Sequence, residues 1–482
     1  MPGKSHLQLE ADIPPSIDRK SRFQIDPVKV RKQDPTTRVG NWEEVVQVFT
    51  VEEAMLEAQR CIQCSQAPCI QACPVHNDIP GAFKLLEKGD VIGAANKFRE
   101  TSALPEMCGR LCPQESLCEG SCVVRKKKGP VAIGKLEFFA ADHQRRTEGL
   151  PLPVLPSSTG KRVAVIGAGP AGIQAAETLA GKGHIVVIFD NWPEPGGILR
   201  YGIPNFKMSK SILDDKIDQL RRLGVEFRQN TRIGEDITVD QLFTEGYDVV
   251  FLGQGAPVGG KLGIEGEDLA GIHEATEFLV RGNRPPEELP EEIRQPLKVG
   301  RRVVVFGGGD TSMDCVRTAR RLGAGEVVCV YRRTEAEMRG REEERVHARD
   351  EGVIFQFLTV PVRFVVGPDG AVAGVLCTRM ELGEPDESGR RRPVPVENSE
   401  HVIDADTVVI AIGYKAEKAI LEATPQLSTD KDGLIVVDRK TGQTSRQHIF
   451  AAGDNVNGAD LVVTALADAR ATADAIHAFL SR

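Results

Sequence analysis

The chain has 482 residues, the length of about three ordinary domains. Its 61 basic and 69 acidic side chains give a net charge of −8, and 41% of its residues are hydrophobic. These values exclude collagen-like, coiled-coil and wholly disordered chains, and a surface broadly attractive to nucleic acid. No apolar run approaches the roughly 18 residues of a spanning helix, and the first ten residues lack a signal-peptide core. We therefore expect a cytoplasmic protein with no membrane or nucleic-acid partner.

The amino-terminal part predicts an arm followed by a mainly helical domain. Residues 1–50 are polar and interrupted by prolines, which predicts an extended arm. Thr50, followed by acidic residues, is typical of a helix N-cap and predicts a helix that ends near Arg60. Further helical patterns cover 79–86 and 91–99, while strand signals are scarce up to residue 145.

The cysteines are concentrated in this helical region. Eight of the eleven fall within one window of 62 residues, and a secreted disulfide scaffold is excluded by the chain length and the lack of a signal peptide. Clustered thiolates then indicate bound metal, whereas the scattered Cys315, Cys329 and Cys377 are predicted to be small buried hydrophobic residues. The clustered cysteines are Cys61, Cys64, Cys69, Cys73, Cys108, Cys112, Cys118 and Cys122.

Their spacing favours iron–sulfur clusters over zinc. Structural zinc sites favour two C-x2-C pairs, and this region contains only one, Cys61 with Cys64. Prolines follow Cys73 and Cys112, and the first run partly matches the bacterial ferredoxin pattern C-x2-C-x2-C-x3-C-P, with four residues in place of two at its centre. Eight thiolates suit two [4Fe–4S] clusters, and structural zinc is kept as the alternative.

A first glycine motif opens the part of the chain after residue 160. A short apolar strand precedes Gly167, which permits a tight turn; Gly169 lets backbone amides approach a pyrophosphate, and Gly172 allows the next helix to pack closely. A second strand ends at Asp190, where an acid binds a ribose hydroxyl. Together these features predict a dinucleotide-binding fold.

A second copy of the motif lies 140 residues later. It contains Gly307 and Gly309, with Ser312 in the place of the third glycine. Its second strand is followed by Arg332 and Arg333, where an acid would select NAD; arginine there can pair with an adenosine 2′-phosphate and predicts NADP. The alternative is a pair of solvated arginines.

Two unequal nucleotide folds indicate FAD in one and NADPH in the other. Three apolar strands, near 249–256, 408–414 and 449–454, should bring the chain back to the edge of a sheet where a cofactor binds. The last of them ends at Asp454. In flavoprotein reductases with this pattern, the aspartate binds the ribityl chain of the flavin. The alternative role for Asp454 is to cap a turn. We therefore expect an α/β protein with a helical iron–sulfur domain and two Rossmann-like domains. No side-chain nucleophile is required, because the cofactors carry the hydride and electron chemistry.

Several short segments of the chain are together highly specific for one family. They are Cys61–Pro74, Leu104–Pro113, Leu117–Cys122, Gly167–Gly172, Pro195–Pro204, Gly307–Cys315, Tyr331–Arg333, Ala452–Asp454 and Asp460–Ala465. Over nearly its full length the chain resembles the small-subunit family of bacterial NADPH-dependent glutamate synthase. The same module is similar to part of dihydropyrimidine dehydrogenase and to ferredoxin-linked NADPH reductases.

The resemblance implies an NADPH domain inserted into the FAD domain. The boundaries we expect are 1–145 for the arm and helical domain, 146–285 and 408–482 for the two parts of the FAD domain, and 286–407 for the NADPH domain. It also adds Gly197, Asp310 and Thr311 to the cofactor-binding residues. One cluster would be bound by Cys61, Cys64, Cys69 and Cys122, the other by Cys73, Cys108, Cys112 and Cys118.

The same resemblance implies a partner and a division of labour. The chain would oxidise NADPH and pass electrons to a large subunit, on which glutamine is hydrolysed and 2-oxoglutarate is aminated to glutamate. The alternatives are a related reductase that serves a pyrimidine- or ferredoxin-linked partner and, in another class, a zinc-stabilised binding protein with vestigial nucleotide folds. The basic run Arg125–Lys128 is read as a solvated face, with a docking patch for an acidic partner as the second interpretation.

Overall fold

The structure, a computed structural model, describes residues 17–385 and 391–482. The chain divides into two compact units: unit 1 is 1–32 with 46–151, and unit 2 is 33–45 with 152–482. Residues 1–16 of the predicted arm lie outside the described residues. None of the described helices is both long and apolar enough to cross a membrane.

Unit 1 is helical, as predicted. The capping box of Thr50 with Glu53 begins the third helix, and the apolar faces of the helices at 79–86, 91–99 and 133–147 form the core. A Cβ at Gly109 would lie 2.5 Å from the backbone nitrogen of Phe138, so a glycine is needed where two helices approach closely. In chain order the first nine helices are α1 (Arg19–Arg22), α2 (Pro35–Arg38), α3 (Val51–Gln59), α4 (Pro68–Gln71), α5 (Ile79–Leu86), α6 (Val91–Arg99), α7 (Pro105–Leu111), α8 (Arg125–Lys128) and α9 (Ile133–Thr147), of which only α2 belongs to unit 2.

Unit 2 begins with a five-stranded parallel sheet. Most of its strands are short, largely buried apolar runs, as expected where helices cover a parallel sheet, whereas the edge strand Glu226–Arg228 is polar and partly exposed. The elements of this part are β1 (Arg162–Ile166), α10 (Pro170–Gly181), β2 (Ile185–Phe189), α11 (Ile198–Tyr201), α12 (Lys210–Arg222), β3 (Glu226–Arg228), α13 (Val239–Thr244) and β4 (Val249–Leu252). The strand that completes the sheet comes from near residue 450.

The second nucleotide fold repeats this architecture within the first. Its elements are β5 (Val258–Gly259), β6 (Ile272–Glu274), α14 (Ala275–Asn283), β7 (Arg302–Phe306), α15 (Asp310–Arg321), β8 (Glu326–Tyr331), α16 (Glu342–Asp350), β9 (Ile354–Phe357), β10 (Thr359–Val366), β11 (Val372–Pro385), β12 (Arg391–Pro395), β13 (His401–Asp404) and β14 (Thr407–Ile410). The chain then returns through β15 (Tyr414–Lys415), α17 (Ala419–Glu422), β16 (Ile449–Ala451), α18 (Asp454–Asn457) and α19 (Val462–Leu480). Short 3-10 turns cover Pro286–Glu288, Glu291–Ile293 and Glu335–Glu337.

The strand orders show that the second fold is inserted into the first. The first sheet has the order β16-β4-β1-β2-β3, and the second β6-β14-β7-β8-β9, both parallel. β16 pairs with β4 after the whole second fold has intervened, so the insertion implied by the resemblance is confirmed.

Two features of the sheets differ from the expectation. β14 pairs with β7 and with β6 in the second sheet, so this sheet extends past both expected boundaries, at residues 286 and 407. A separate antiparallel sheet of β10, β11, β12 and β13 was not predicted from the sequence. The strand pairing thus widens the second nucleotide fold at both edges, while the boundary expected at residue 145 stays a prediction.

Residues 33–45, which we call the strap, pack on unit 2 and contain α2. The backbone nitrogen of Val45 donates to the carbonyl of Phe206 at 2.9 Å, and Glu44 accepts from the nitrogen of Ser209 at 2.7 Å. The Phe206 ring lies under the guanidinium groups of Arg317 and Arg321, at 4.4 and 4.0 Å. Part of the predicted arm is therefore an integral piece of the nucleotide-binding unit.

A buried carboxylate joins the strap to the second fold. Glu351, 3% exposed, accepts from Nε of Arg38 in the strap at 2.8 Å. It also accepts from Nη2 of Arg317 at 2.9 Å and from Nη1 of Arg321 at 2.7 Å. Burial raises the pKa of Glu351, but Arg317 and Arg321 outweigh it and hold the pKa at about 2.

Candidate functional site

The first glycine loop connects β1 to α10. Gly167 has φ of 97°, in the left-handed region, and a Cβ there would lie 2.6 Å from the carbonyl oxygen of Gly253. A Cβ at Gly172 would overlap the carbonyl of Gly167, so helix and loop touch. Gly169 is the N-cap of α10, and a Cβ added there would come no closer than 4.0 Å to any other atom. The open position lies at the helix N-terminus, a place that favours the negative charge of a phosphate group.

Asp190 lies directly after β2, beside this loop. Its Oδ2 accepts from the backbone nitrogen of Ala168 at 2.6 Å, and its Oδ1 from that of Trp192 at 2.9 Å. Burial raises the pKa of Asp190 to about 6, against the lowering effect of these two bonds. Each carboxylate oxygen keeps a second lone pair for a ribose hydroxyl.

Gly197 and Asp454 approach the same loop from two other segments. Gly197 has φ of 51°, and a Cβ there would come within 2.9 Å of the Cα of Gly169. Asp454 begins α18 immediately after Gly453, whose Cβ position is 3.1 Å from the side chain of Ala171 in α10. Burial raises the pKa of Asp454 to about 6. The structure thus brings all the predicted residues of the first nucleotide site to one end of the first sheet.

The second glycine loop, from β7 to α15, has the same form. A Cβ at Gly307 would overlap the carbonyl of Ala411, whereas Gly309 has open space around it at the N-terminus of α15. Asp310 accepts from the backbone nitrogen of Arg341 at 3.0 Å, and Thr311 accepts from the hydroxyl of Tyr414 at 3.2 Å. Asp310 and Thr311 therefore fix the chain segments that border this second opening.

The two arginines after β8 have different surroundings. Arg332 is exposed. Arg333 is 4% exposed and its Nε donates to the backbone carbonyl of Arg391 in β12 at 2.8 Å. Arg332 has the freedom to reach a ligand, while Arg333 holds the antiparallel sheet against the end of β8. The sequence did not distinguish the two roles.

The first group of cysteines lines a small, partly open cavity of about 20 Å³. Apolar side chains such as Ile62 and Phe83 complete the wall. Burial raises the pKa of the Cys61 thiol to about 11 and that of Cys69 to about 12. The cysteines that line the cavity are Cys61, Cys64, Cys69 and Cys122.

In the second group of cysteines Cys112 is half-buried and the other three are buried, and Glu137 lies close enough to influence them. A hydrogen bond with Cys108, then burial, raises the pKa of Cys112 well above its usual range. Burial, then the charge of Glu137, raises the pKa of Cys73 to about 11. Glu137 also raises the pKa of Cys118, after burial and Glu119. Sequence reasoning missed Glu137 because an acid within the apolar pattern of α9 carries no metal-site signal of its own.

These two groups fit four-iron clusters by the chemistry of their donors. In residues 17–385 and 391–482, no three His, Cys, Asp or Glu side chains are arranged to hold a single metal ion. A four-iron cluster takes one cysteine per iron, so its sulfurs stand around a cage and need not meet at one point. For the first group, the cavity lined by its four thiols is the matching observation, and for the second group the fit rests on its four thiol donors. Binding would deprotonate these thiols, because a coordinating thiol is held as thiolate.

Comparison with known families agrees with this division of the chain. Residues 38–149 match the family described as dihydropyrimidine dehydrogenase domain II, 4Fe-4S cluster. Residues 161–469 match the family of pyridine nucleotide-disulphide oxidoreductases. The first match covers both cysteine groups, and the second covers both glycine loops.

Individual proteins resemble the chain over most of its length. The small chain of glutamate synthase [NADPH] from Escherichia coli is 41% identical over 459 residues, which is 94% of this chain and 96% of that one. The putative oxidoreductase AegA of the same organism is 40% identical over 98% of this chain and 72% of its own length. FprA from Mycobacterium tuberculosis, solved in complex with NADPH, superposes with a TM-score of 0.56 at 23% identity, over 67% of this chain and 85% of that one. At this low identity, the likeness to FprA shows the fold alone.

Proposed function

Since the chain belongs to the family of the small chains of NADPH-dependent glutamate synthase, we propose that it oxidises NADPH and delivers the electrons to the large chain of that enzyme. Overall, glutamine, 2-oxoglutarate, NADPH and a proton would yield two glutamates and NADP⁺. The observation that carries the proposal is 41% identity over 94% of the chain, with both cysteine groups and both glycine loops present.

We assign FAD to the first nucleotide fold. The N-terminus of α10, left open at Gly169, would hold the pyrophosphate, and Asp190 a ribose hydroxyl. Asp454 would bind the ribityl chain, since it stands beside Gly453 against α10. A bound flavin would supply the redox chemistry, since it can accept a hydride from the nicotinamide and release the electrons one at a time.

We assign NADPH to the second nucleotide fold. The N-terminus of α15 at Gly309 would hold its pyrophosphate, and the exposed Arg332 its 2′-phosphate. The two cysteine groups would bind one [4Fe–4S] cluster each, with the ligand sets implied by the resemblance. The unpaired thiols of the chain suit a reducing compartment, and the cytoplasmic location is part of the proposal.

The experiment compares the isolated chain with the reconstituted pair. Alone, the protein should reduce an artificial dye with NADPH and form no glutamate. With the large chain added, glutamine and 2-oxoglutarate should drive NADPH oxidation, with two glutamates per NADPH. A visible spectrum should show flavin and broad iron–sulfur absorption; a colourless protein that contains stoichiometric zinc would contradict the proposal.

A second candidate is a reductase with a different electron acceptor. It is favoured by the similarity to AegA, an oxidoreductase that matches 98% of this chain. Dye reduction with NADPH would be retained in this case, but a matched large chain would fail to couple to it. Reconstitution therefore separates the two candidates.

A further inference from the structure

The two cysteine groups lie at different depths in unit 1. In the second group Cys73, Cys108 and Cys118 are buried, at 8%, 2% and 8% exposure. All four cysteines of the first group are half-buried around the open cavity. The first group is therefore the shallower, and a partner can approach it more closely.

Two short basic helices flank the mouth of this cavity. α8 follows Cys122 directly, with Val123 and Val124 still lining the cavity. In α1, Nη1 of Arg22 donates to the carbonyl of Cys61 at 2.9 Å. Both helices are thus attached to ligands of the same proposed cluster.

The two helices also contact each other. Nζ of Lys127 lies 4.3 Å from the centre of the Phe23 ring, and Nζ of Lys128 donates to the carbonyl of Gln24 at 2.8 Å. Their exposed cations therefore form one surface, which we call the basic rim. The basic rim consists of Arg19, Lys20, Arg125, Lys126 and Lys127, all exposed.

Two described carboxylates next to the basic rim already have partners of their own. The carboxylate of Asp18 is occupied as the N-cap of α1, and that of Asp26 pairs with Lys128 at 2.6 Å. Next to the cations, Val123 is 41% exposed and offers an apolar contact. Because the chain as a whole carries a net charge of −8, this concentration of cations is not a consequence of composition.

The geometry points to the basic rim as the docking surface for an acidic face of the chain that accepts the electrons. The inference rests on the proposed function and names where the partner binds. Opposite charge steers two proteins together and fixes their register, and here it would bring the partner's redox centre over the shallower cysteine group.

The test uses the cofactor-loaded protein and the large chain. In the Lys20→Glu/Lys126→Glu variant each helix contributes one change, and both side chains are exposed. The control, Lys431→Glu/Lys440→Glu, makes the same change of net charge at exposed positions of unit 2. Association rates are measured by surface plasmon resonance from low to high salt, together with iron content and dye reduction by NADPH.

We expect the rim variant to associate about tenfold or more slowly at low salt, with a weaker salt dependence. Iron content and dye reduction should stay at the wild-type level, and the control should associate normally. An equal loss in the control, or an unchanged rate in the rim variant, would overturn the inference.

Two further outcomes separate this inference from its premise. If the wild-type protein does not bind the large chain at all, the proposed function fails. If the complex forms normally in the rim variant while binding to phosphatidylglycerol vesicles is lost, the rim serves a membrane surface and the inference is wrong.

Discussion

Replacing Glu351 with glutamine removes the charge that binds three buried arginines of unit 2. The carboxylate accepts from Arg38, Arg317 and Arg321 at distances of 2.7 to 2.9 Å. Its pKa is held at about 2, against an ordinary value of 4.5. At about 1.4 kcal/mol per pKa unit this corresponds to roughly 3 kcal/mol of stabilisation, and breaking a buried ion pair typically costs about 3–5 kcal/mol.

We therefore expect Glu351→Gln to lower the free energy of unfolding of unit 2 by about 3–5 kcal/mol at pH 7. Urea unfolding followed by tryptophan fluorescence measures this directly, because both tryptophans, Trp42 and Trp192, lie in unit 2. Asp350→Asn is the matched control, since Asp350 is 43% exposed at 3.5 Å from Arg38 and should contribute less than about 1 kcal/mol.

The same comparison has a defined pH dependence. The folded pKa of Glu351 lies below the unfolded value, so its contribution is complete above about pH 4.5 and is lost as the pH falls towards 2. The difference between wild type and Glu351→Gln should therefore shrink over this range. A difference below about 1 kcal/mol at pH 7, or one that does not change between pH 5 and pH 2, would refute the reasoning.

Three further changes test the cofactor sites. Cys122→Ala should remove up to about four irons per chain, measured by iron analysis, and retention of both clusters would contradict the ligand assignment. Gly172→Ala should reduce bound FAD several-fold in the visible spectrum because its Cβ overlaps the neighbouring loop, whereas Gly181→Ala, in open space at the end of the same helix, should retain it. Arg332→Ser should lower the preference for NADPH over NADH, in kcat/KM, by about tenfold or more, for a charge-assisted bond of roughly 1.5–3 kcal/mol. Arg333→Ser should change the ratio of the two kcat/KM values less. A larger change in Arg333→Ser than in Arg332→Ser would show that Arg333 binds the 2′-phosphate.

Local features of the fold could be predicted because short-range chemistry determines them. The capping box at Thr50 begins α3 where expected, and helices 79–86 and 91–99 have the predicted bounds. The glycine loops were predicted because a tight turn and a close helix contact both require glycine at fixed spacing.

Pairing between distant segments could not be predicted in the same way. The apolar run at 407–410 is a strand in any interpretation, but only its partner β7 decides to which sheet it belongs. Arg332 and Arg333 lie side by side in the bend after β8, and only the contact of Arg333 with Arg391, in the distant β12, gives them different roles. On its own helix Glu351 looks like a solvated acid, and its partner Arg38 lies more than 300 residues away.

The insertion of one nucleotide fold into the other has a consequence for the order of folding. During synthesis, β14 completes the second sheet once residue 410 has emerged, whereas the first sheet still lacks β16 and the covering helix α19. Until then β4, buried along its whole length in the finished protein, has an unpaired edge that can attract other chains. The inner fold should therefore mature before the outer one, and a chaperone that covers the open edge of β4 should help the outer fold to form.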